Sequence, residues 1–531
     1  MSLATRAVAR ILRLPPALTD RITTHKARAV RMRDGVILRT DHYAPALPDC
    51  PTVLIRTPYG RGGPLRLAAR AMAERGFHVV VQSCRGTFDS GGVFEPMRRE
   101  RDDGLDTLDW LRCQPWHTGP VGMFGPSYVG FVQWAVAADA GADLKALAVS
   151  VTASQFRDST YAGGGFSLDT VLTWSNIVTA QGGPRLAGLV ELLRGQPRLK
   201  AGLAHPTLSE ADTVAVGAPV AFYQEWLVES APDAPYWAER GHAPRIAEVE
   251  APVLSIGGWY DIFLPWQLAD YAALRAAGRS PHLVVGPWHH GSPALVRAAA
   301  RGAVDWFRAH LRGEPGLVPD RPVRLHVGGA DEWRDFDEWP PPARTREWFL
   351  EAGGGLGPDR PDEGEVGRFR YDPADPTPAV GGPRLIGNIA GQRDNRQLEA
   401  RPDVLTFTGA VLSAPVEVIG PVRALVRMRS TLPYGDVFVR LCDVHPDGRS
   451  VNVCDGLTRV DDGRGDVTVD LWPTAYRFGV GHRIRVQVSG GAHPRFARNP
   501  GTGAPLGAAG PLKASWRTVL AGSVIELPET G

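Results

Sequence analysis

A chain of 531 residues is long enough for three or four domains of about 150 residues each, so one compact core is not expected. Hydrophobic residues make up 43% of the chain and charged residues 22%, which excludes the disordered, collagen-like and coiled-coil classes. With 59 Lys and Arg against 57 Asp and Glu, the formal net charge of +2 gives no general attraction for nucleic acid or an anionic membrane, and a small uncharged molecule is the expected partner.

The first residues, MSLATRAVARILRLPP, predict an amphipathic helix rather than a secretory signal. Arg6, Arg10 and Arg13 interrupt the region where a signal needs an unbroken apolar stretch of about 7–15 residues. No later segment reaches the roughly 18 consecutive apolar residues of a membrane span. The five cysteines are an odd number without a CxxC pair, which argues against a disulfide framework and a zinc site. We therefore expect a soluble, cytoplasmic protein without a bound metal.

Alternating apolar runs and helical stretches dominate the first part of the chain. Two runs around Asp34-Gly35 predict an antiparallel hairpin. Strands are then predicted at 52–57, 77–82, 121–125, 144–150, 252–258 and 282–286. Helices are predicted at 64–75, 101–113, 128–139, near 265–277 and at 293–312. This alternation is typical of parallel strands connected by helices, and it predicts one α/β domain that is interrupted once.

The interruption and the C-terminal part differ in pattern from the α/β domain. Residues 153–248 lack strand-like runs and contain helical pieces at 168–180 and 186–195, which predicts an inserted helical cap. Beyond residue 345, short alternating runs bounded by Gly, Pro or Asp are typical of a β-sandwich or jelly roll. The predicted division is an α/β domain (1–152 and 249–345), a cap (153–248) and a β domain (346–531).

Ser127 is the first candidate for chemistry. It lies in VGMFGPSYVGFVQW between a predicted strand and a helix, with Gly125 before it and Gly130 after it. This pattern is typical of a nucleophile elbow, in which a sharp turn exposes the serine hydroxyl above the sheet. The alternative is an ordinary strand-to-helix turn in which Ser127 caps the helix.

A serine nucleophile needs a base and an orienting acid, which in α/β hydrolases follow it in the order Ser, Asp or Glu, His. Asp261 follows the predicted strand PVLSIGG, and His289 and His290 follow HLVVG. Their positions at strand ends, in this order, favour a triad over isolated capping or packed residues. The residues themselves do not decide between His289 and His290.

Tyr59 follows the first central strand, where the oxyanion hole of such folds is completed. A phenol hydroxyl can donate a hydrogen bond there. The alternative is a tyrosine packed at a strand end.

Seven motifs together resemble the cocaine esterase-type (CocE/NonD) hydrolases, which belong to the X-Pro dipeptidyl-peptidase-like serine hydrolases. The resemblance runs in order from about residue 28 to the C-terminus and implies an α/β-hydrolase domain, a helical cap and a C-terminal jelly roll. The motifs are RTPYG (56–60), RGTFDSGG (85–92), DGLDTLDWLRCQPWHTGPVGMFGPSYVG (103–130), GGWYD (257–261), GPWHH (286–290), YDPADPTPAVGG (371–382) and HPRFARNPGTG (493–503).

The resemblance also implies roles for individual residues. Ser127 matches the nucleophile, Asp261 the acid and His290 the base. The Tyr59 hydroxyl and the Tyr128 backbone N–H match the two oxyanion donors. Substrate-binding positions match Phe263, in the acyl pocket, and Trp174, in the cap. No metal or organic cofactor is implied.

The expected function is hydrolysis of small uncharged acyl esters through an acyl-enzyme on Ser127. Family members that act on α-amino acid esters carry acidic residues just after the catalytic acid, and here Phe263 and Leu264 offer apolar surface instead. Three alternatives remain: an amidase or dipeptidyl peptidase, an acyltransferase with the same acyl-enzyme, and a non-catalytic carbohydrate-binding protein. Homo-oligomerisation is left open.

Overall fold

The computed structural model of the protein describes residues 3–180, 197–385 and 387–530. Two large sheets organise the chain. The first contains strands β1 to β10 in the order β1-β2-β4-β3-β5-β6-β7-β8-β9-β10. These strands are Ile22–Arg31, Ile37–Pro45, Thr52–Thr57, His78–Ser83, Val121–Pro126, Leu144–Ser150, Val253–Tyr260, His282–His289, Val323–Val327 and Glu332–Phe336. The predicted strands at 52–57 and 144–150 coincide with β3 and β6.

Strands β3 to β9 run parallel, and the hairpin β1–β2 and strand β10 add antiparallel edges. Every residue of β3 and β4 is buried, as expected for parallel strands that are covered on both faces. Connecting helices are α1 to α4 and, after the cap, α11 and α12. Their bounds are Leu3–Ile11, Gly63–Ala73, Glu100–Arg112, Tyr128–Ala137, Leu264–Ala276 and Pro293–Arg312.

Alternate side chains of β3 enter different cores because successive residues of a strand face opposite sides. Val53 and Ile55 pack with residues of α2 and α12. Leu54 packs with residues of α3 and α4, on the other face. The α/β domain is therefore a sheet between two layers of helices, as the sequence predicts.

The cap lies between β6 and β7 and is helical in its described part. Helices α5 to α10 are Arg157–Thr160, Leu168–Ala180, 197–204, Leu208–Val216, Ala221–Val228 and Pro235–Ala238. Short 3-10 helices span Ala162–Gly164 and Ala243–Glu248. The predicted helix at 168–180 coincides with α6, and the helix predicted at 186–195 lies outside the described residues.

The second sheet forms the C-terminal jelly roll, and most of its strands are antiparallel. Strands β11 to β21 are Arg344–Glu351, Gly355–Gly357, Glu365–Tyr371, Val404–Gly409, Val416–Ser430, Gly435–Val444, Ser450–Val460, Arg464–Phe478, Arg483–Ser489, Ser515–Leu520 and Val524–Glu529. Helix α13 is Arg396–Glu399, and 3-10 turns span Ala352–Gly354 and Gly387–Ile389. The first sheet ends at Phe336 and the second begins at Arg344, so the expected division at residue 345 falls on the second residue of β11.

The jelly roll packs against both other parts of the chain. Trp472 lies in one apolar cluster with Trp259 of the α/β domain. Asp169 of α6 forms an ion pair of 2.6 Å with Arg384, which precedes β14, and the two side chains are only 3% and 6% exposed. Burial raises the pKa of Asp169, while Arg384 opposes this shift. No helix in the described ranges is both long and apolar enough to span a bilayer.

Two buried histidines pair on neighbouring strands of the first sheet. His42 Nε2 lies 3.0 Å from His78 Nδ1, and the ring of Trp116 stacks 3.9 Å from that of His42. Burial lowers the pKa of His42 to about 3 and that of His78 to about 4. Only one of the two facing nitrogens can carry a proton, so the two rings cannot both be charged in this geometry, and burial favours the neutral form of each ring.

We expect this pair to make the fold acid-sensitive. Histidines in the unfolded chain take up protons below about pH 6.5, whereas the folded pair is protonated only near about pH 4. The free energy of unfolding is therefore highest above about pH 6.5 and decreases as the pH falls below that value. The loss at pH 5 should be on the order of 2 kcal/mol for each histidine. In urea unfolding, the double variant His42→Gln, His78→Gln should lose less stability between pH 7.5 and pH 5 than the wild type.

The control is His205→Gln, because His205 lies in the cap, between α7 and α8, and not in the first sheet. This variant should keep the wild-type pH dependence. Equal pH dependence in the double variant and the wild type would contradict the prediction.

Candidate active site

Ser127 lies in a strained turn between β5 and α4. Its φ of +57° and ψ of −129° place it in a region that non-glycine residues rarely adopt. The Ser127 N–H donates to the carbonyl of Ser150 (2.9 Å), and the Thr152 hydroxyl donates to the Ser127 carbonyl (2.7 Å). The Ser127 side chain makes no capping hydrogen bond to α4, so helix capping does not explain this residue.

The glycines on either side of Ser127 allow this turn to pack closely. Gly125 has φ of +156°, and a Cβ there would lie 2.1 Å from a methyl group of Val129. A Cβ on Gly130 would lie 2.4 Å from the Thr152 methyl group. Both positions therefore require glycine for the elbow to form.

Asp261 and His290 meet at the ends of β7 and β8. Asp261 is fully buried, and its Oδ2 lies 2.7 Å from His290 Nδ1. Its other oxygen accepts a hydrogen bond from the Phe263 N–H (2.9 Å). Because the carboxylate can only accept, His290 Nδ1 carries the proton in this hydrogen bond and Nε2 is left as an acceptor.

The neighbouring His289 is in a different environment. It is the last residue of β8 and lines a second cavity, between the α/β domain and the jelly roll, together with Gly387 and Arg393. Burial lowers the pKa of His289, and the charge of Arg393 adds to this effect. The structure therefore places His290, and not His289, on the Asp261 carboxylate.

Tyr59 contacts the cap through its hydroxyl group. Trp174 of α6 donates its indole N–H to the Tyr59 oxygen at 3.0 Å. Burial raises the pKa of Tyr59 to about 12, while hydrogen bonding to Trp174 and Ser127 lowers it. The phenol is therefore protonated at neutral pH and can donate a hydrogen bond beside Ser127.

Tyr128 is the first residue of α4, so its N–H has no acceptor within the helix. Its side chain points into the core, where the hydroxyl donates to Glu100 (2.9 Å) and accepts from the Met97 N–H (2.7 Å). Glu100 in turn forms a buried ion pair of 2.8 Å with Arg56. This buried network fixes the residue next to Ser127, and it was not predicted from the sequence.

A narrow cavity brings several of the predicted residues together. Ser127, Trp174 and Phe263 all line it, and the Phe263 ring lies 5.7 Å from the His290 ring. Among the residues described around this cavity, none is charged. Its lining consists of Ser127, Phe156, Ser159, Thr160, Thr170, Val171, Trp174, Trp226, Ile262, Phe263 and Leu385.

Eight of these lining residues were not predicted from the sequence, among them Phe156, Trp226 and Leu385. Phe156 stacks on Phe263 with ring centroids 4.5 Å apart, and Trp226 stacks on Trp174 at 6.0 Å. In the sequence they are indistinguishable from ordinary core aromatics of the cap. Leu385 comes from the jelly roll, and no motif links it to Ser127.

One group within the described ranges could ligate a metal: Asp443, His445 and His482 of the jelly roll. Asp443 accepts hydrogen bonds from His482 Nδ1 (2.8 Å) and from the Tyr476 hydroxyl (2.9 Å). None of these residues lines the Ser127 cavity. The arrangement around Ser127 is instead suited to acyl transfer by a serine nucleophile.

Comparison with known proteins gives matches over both sheets. The family described as X-Pro dipeptidyl-peptidase (S15 family) matches residues 34–292. The X-Pro dipeptidyl-peptidase C-terminal non-catalytic domain matches residues 317–512. The cocaine esterase of Rhodococcus sp. (strain MB1 Bresler) is 33% identical over 533 residues, which cover 89% of this chain and 92% of that protein.

Solved structures agree in fold over nearly the whole chain. An aminopeptidase from the marine sediment archaeon Thaumarchaeota archaeon superposes with a TM-score of 0.82 at 21% identity, covering 98% of this chain and 99% of that chain. An α-amino acid ester hydrolase gives a TM-score of 0.82 at 22% identity, covering 97% and 98%. At these identities the likeness concerns the fold.

Proposed function

Because the chain belongs to the cocaine esterase-type (CocE/NonD) serine hydrolases of the X-Pro dipeptidyl-peptidase-like family, we propose that it hydrolyses esters with small uncharged acyl groups through an acyl-enzyme on Ser127. Asp261 and His290 complete the proposed triad. The observation that carries this proposal is the 2.7 Å hydrogen bond between Asp261 and His290 Nδ1, at the sheet edge that also bears Ser127.

In the proposed reaction, Ser127 Oγ attacks the ester carbonyl carbon while His290 Nε2 accepts the hydroxyl proton. The Tyr59 hydroxyl and the Tyr128 N–H donate hydrogen bonds to the resulting oxyanion. The intermediate collapses, the carbon–oxygen bond to the alcohol breaks, and His290 gives its proton to the leaving alcohol.

Water then attacks the acyl-enzyme in the same way. His290 takes a proton from the water, the bond to Ser127 Oγ breaks, and the proton returns to Ser127 as the carboxylic acid leaves. Asp261 keeps the imidazole in one orientation throughout and stabilises its charged form.

The proposed preference for uncharged acyl groups rests on the cavity beside Ser127. Phe263 and Phe156 offer stacked aromatic surface, which contributes about 25 cal/mol for each Å² of apolar surface that it covers. An ammonium group entering this cavity would lose hydration without gaining a carboxylate partner among the described lining residues. The described lining residues likewise offer no carboxylate to bind the amino terminus of a peptide, so esters are favoured over dipeptides as substrates.

Ser127→Ala should abolish both ester turnover and covalent labelling by a fluorophosphonate, because the label reacts with the activated serine. Intact-protein mass spectrometry of the wild type and the variant measures the labelling, and circular dichroism checks that the variant is folded. Stoichiometric labelling of the variant at another serine would show that the nucleophile is misassigned.

The two adjacent histidines should differ strongly in their effect on turnover. His290→Ala should lower kcat about 10³-fold or more, because Ser127 then lacks its general base. His289→Ala is the matched control and should lower kcat less than about tenfold, since His289 lines the other cavity. Steady-state kinetics with a nitrophenyl ester tests both, and the reverse ranking would refute the assignment of the base.

Substrate preference can be tested with two esters that differ only in an α-ammonium group: methyl phenylacetate and phenylglycine methyl ester. At a pH where the ammonium form predominates, kcat/KM should be at least about tenfold higher for the phenylacetate, because the charged group pays an uncompensated desolvation cost. Preference for the aminoacyl ester would contradict the proposal.

Adding an alcohol or amine nucleophile and analysing the products separates hydrolysis from acyl transfer.

A further inference from the structure

The proposed oxyanion tyrosine is hydrogen-bonded by a residue of the cap. Tyr59 follows β3 in the α/β domain, and Trp174 lies on α6, 115 residues later. The indole nitrogen can only donate, so the Tyr59 oxygen is the acceptor of this 3.0 Å hydrogen bond. The direction of the bond is therefore fixed by the chemistry of the two side chains.

This bond limits where the Tyr59 proton can point. A phenol has one proton and two lone pairs, and Trp174 occupies one of the lone pairs. The O–H must then point away from the indole, and that indole lines the same cavity as Ser127. Accepting a hydrogen bond also polarises the phenol and makes it a stronger donor.

The indole is itself packed against two other aromatic rings. Its ring stacks on Tyr128 with a centroid distance of 6.0 Å and an interplanar angle of 15°. It stacks on Trp226 at 6.0 Å and 4°. Trp174 therefore contacts both residues of the proposed oxyanion hole: the hydroxyl of Tyr59 and the ring of Tyr128.

We propose that Trp174 is a positioning residue for the oxyanion hole, and that its indole N–H aims the Tyr59 hydroxyl at the developing negative charge. This inference rests on the proposed function of Ser127 and Tyr59. It assigns Trp174 a role that an apolar wall residue does not have. A wall residue acts on substrate binding and hence on KM, whereas an aimed donor acts on the transition state and hence on kcat.

A double-mutant cycle separates the two roles. Trp174→Phe keeps an aromatic ring against Tyr128 and Trp226 but removes the donor. Tyr59→Phe should lower kcat about 10²- to 10³-fold, the usual effect of losing one oxyanion donor. In the wild-type background, Trp174→Phe should lower kcat about tenfold and change KM less than about threefold. In the Tyr59→Phe background it should lower kcat less than about threefold, because the hydroxyl that Trp174 orients is already absent.

The control variant is Trp237→Phe. Trp237 also lies in the cap and donates its indole N–H to a backbone carbonyl, that of Glu229, at 2.7 Å, but it does not line the Ser127 cavity. Its loss should leave kcat within about threefold of the wild type. Thermal unfolding and fluorophosphonate labelling check each variant, and Trp174→Leu replaces Trp174→Phe in the cycle if the latter does not fold.

The possible results are distinct. A loss in kcat from Trp174→Phe that disappears in the Tyr59→Phe background supports the inference. Equal losses in both backgrounds, or an effect on KM alone, would overturn it. If Tyr59→Phe itself retained wild-type kcat, the proposed function of Tyr59 would be wrong, and the inference would fall with it.

Discussion

The parallel order of β5, β6, β7 and β8 is the constraint on which the candidate site depends. Parallel strands end at the same edge of a sheet, so residues that follow them in the sequence are brought together there. Ser127 follows β5, Asp261 follows β7 and His290 follows β8. The buried strands hold this edge rigid, and the strain at Ser127 is sustained because its neighbours fix both its N–H and its carbonyl group.

The α/β edge alone does not enclose the cavity. The cap contributes Trp174 and other aromatic side chains, and the jelly roll contributes Leu385. Stacked rings with few rotatable bonds give this enclosure a fixed shape at low cost in side-chain entropy. The α/β domain thus supplies the proposed reacting groups, and the other two parts of the chain supply most of the lining of the cavity.

Much of this arrangement could be predicted from the sequence. Hydrophobic runs located β3 and β6 to the residue, and the resemblance to the CocE/NonD family and the fold class were both confirmed. Residue patterns alone could not choose between His289 and His290. That choice depends on where β8 ends and which way each side chain points, and the strand runs three residues beyond its predicted end.

The cavity wall could be predicted only in part. Phe263 lies two residues after the predicted acid, so the resemblance to the family locates it. Phe156 and Trp226 reach the cavity through packing of the cap, and an aromatic residue in a helical segment has the same pattern whether it faces a cavity or a core. Leu385 lines the cavity because the jelly roll packs against the cap, and no local sequence pattern predicts that contact.

The buried ion pair between Asp169 and Arg384 has a consequence for the modularity of the chain. Separating the jelly roll from the cap would leave the Asp169 carboxylate buried without its counterion, which is far more costly than losing a surface contact. The junction between the cap and the jelly roll is therefore a poor place at which to combine domains from different relatives. A jelly roll exchanged from a relative would be tolerated only if its loop restored the missing guanidinium, or if the partner position in the cap changed with it.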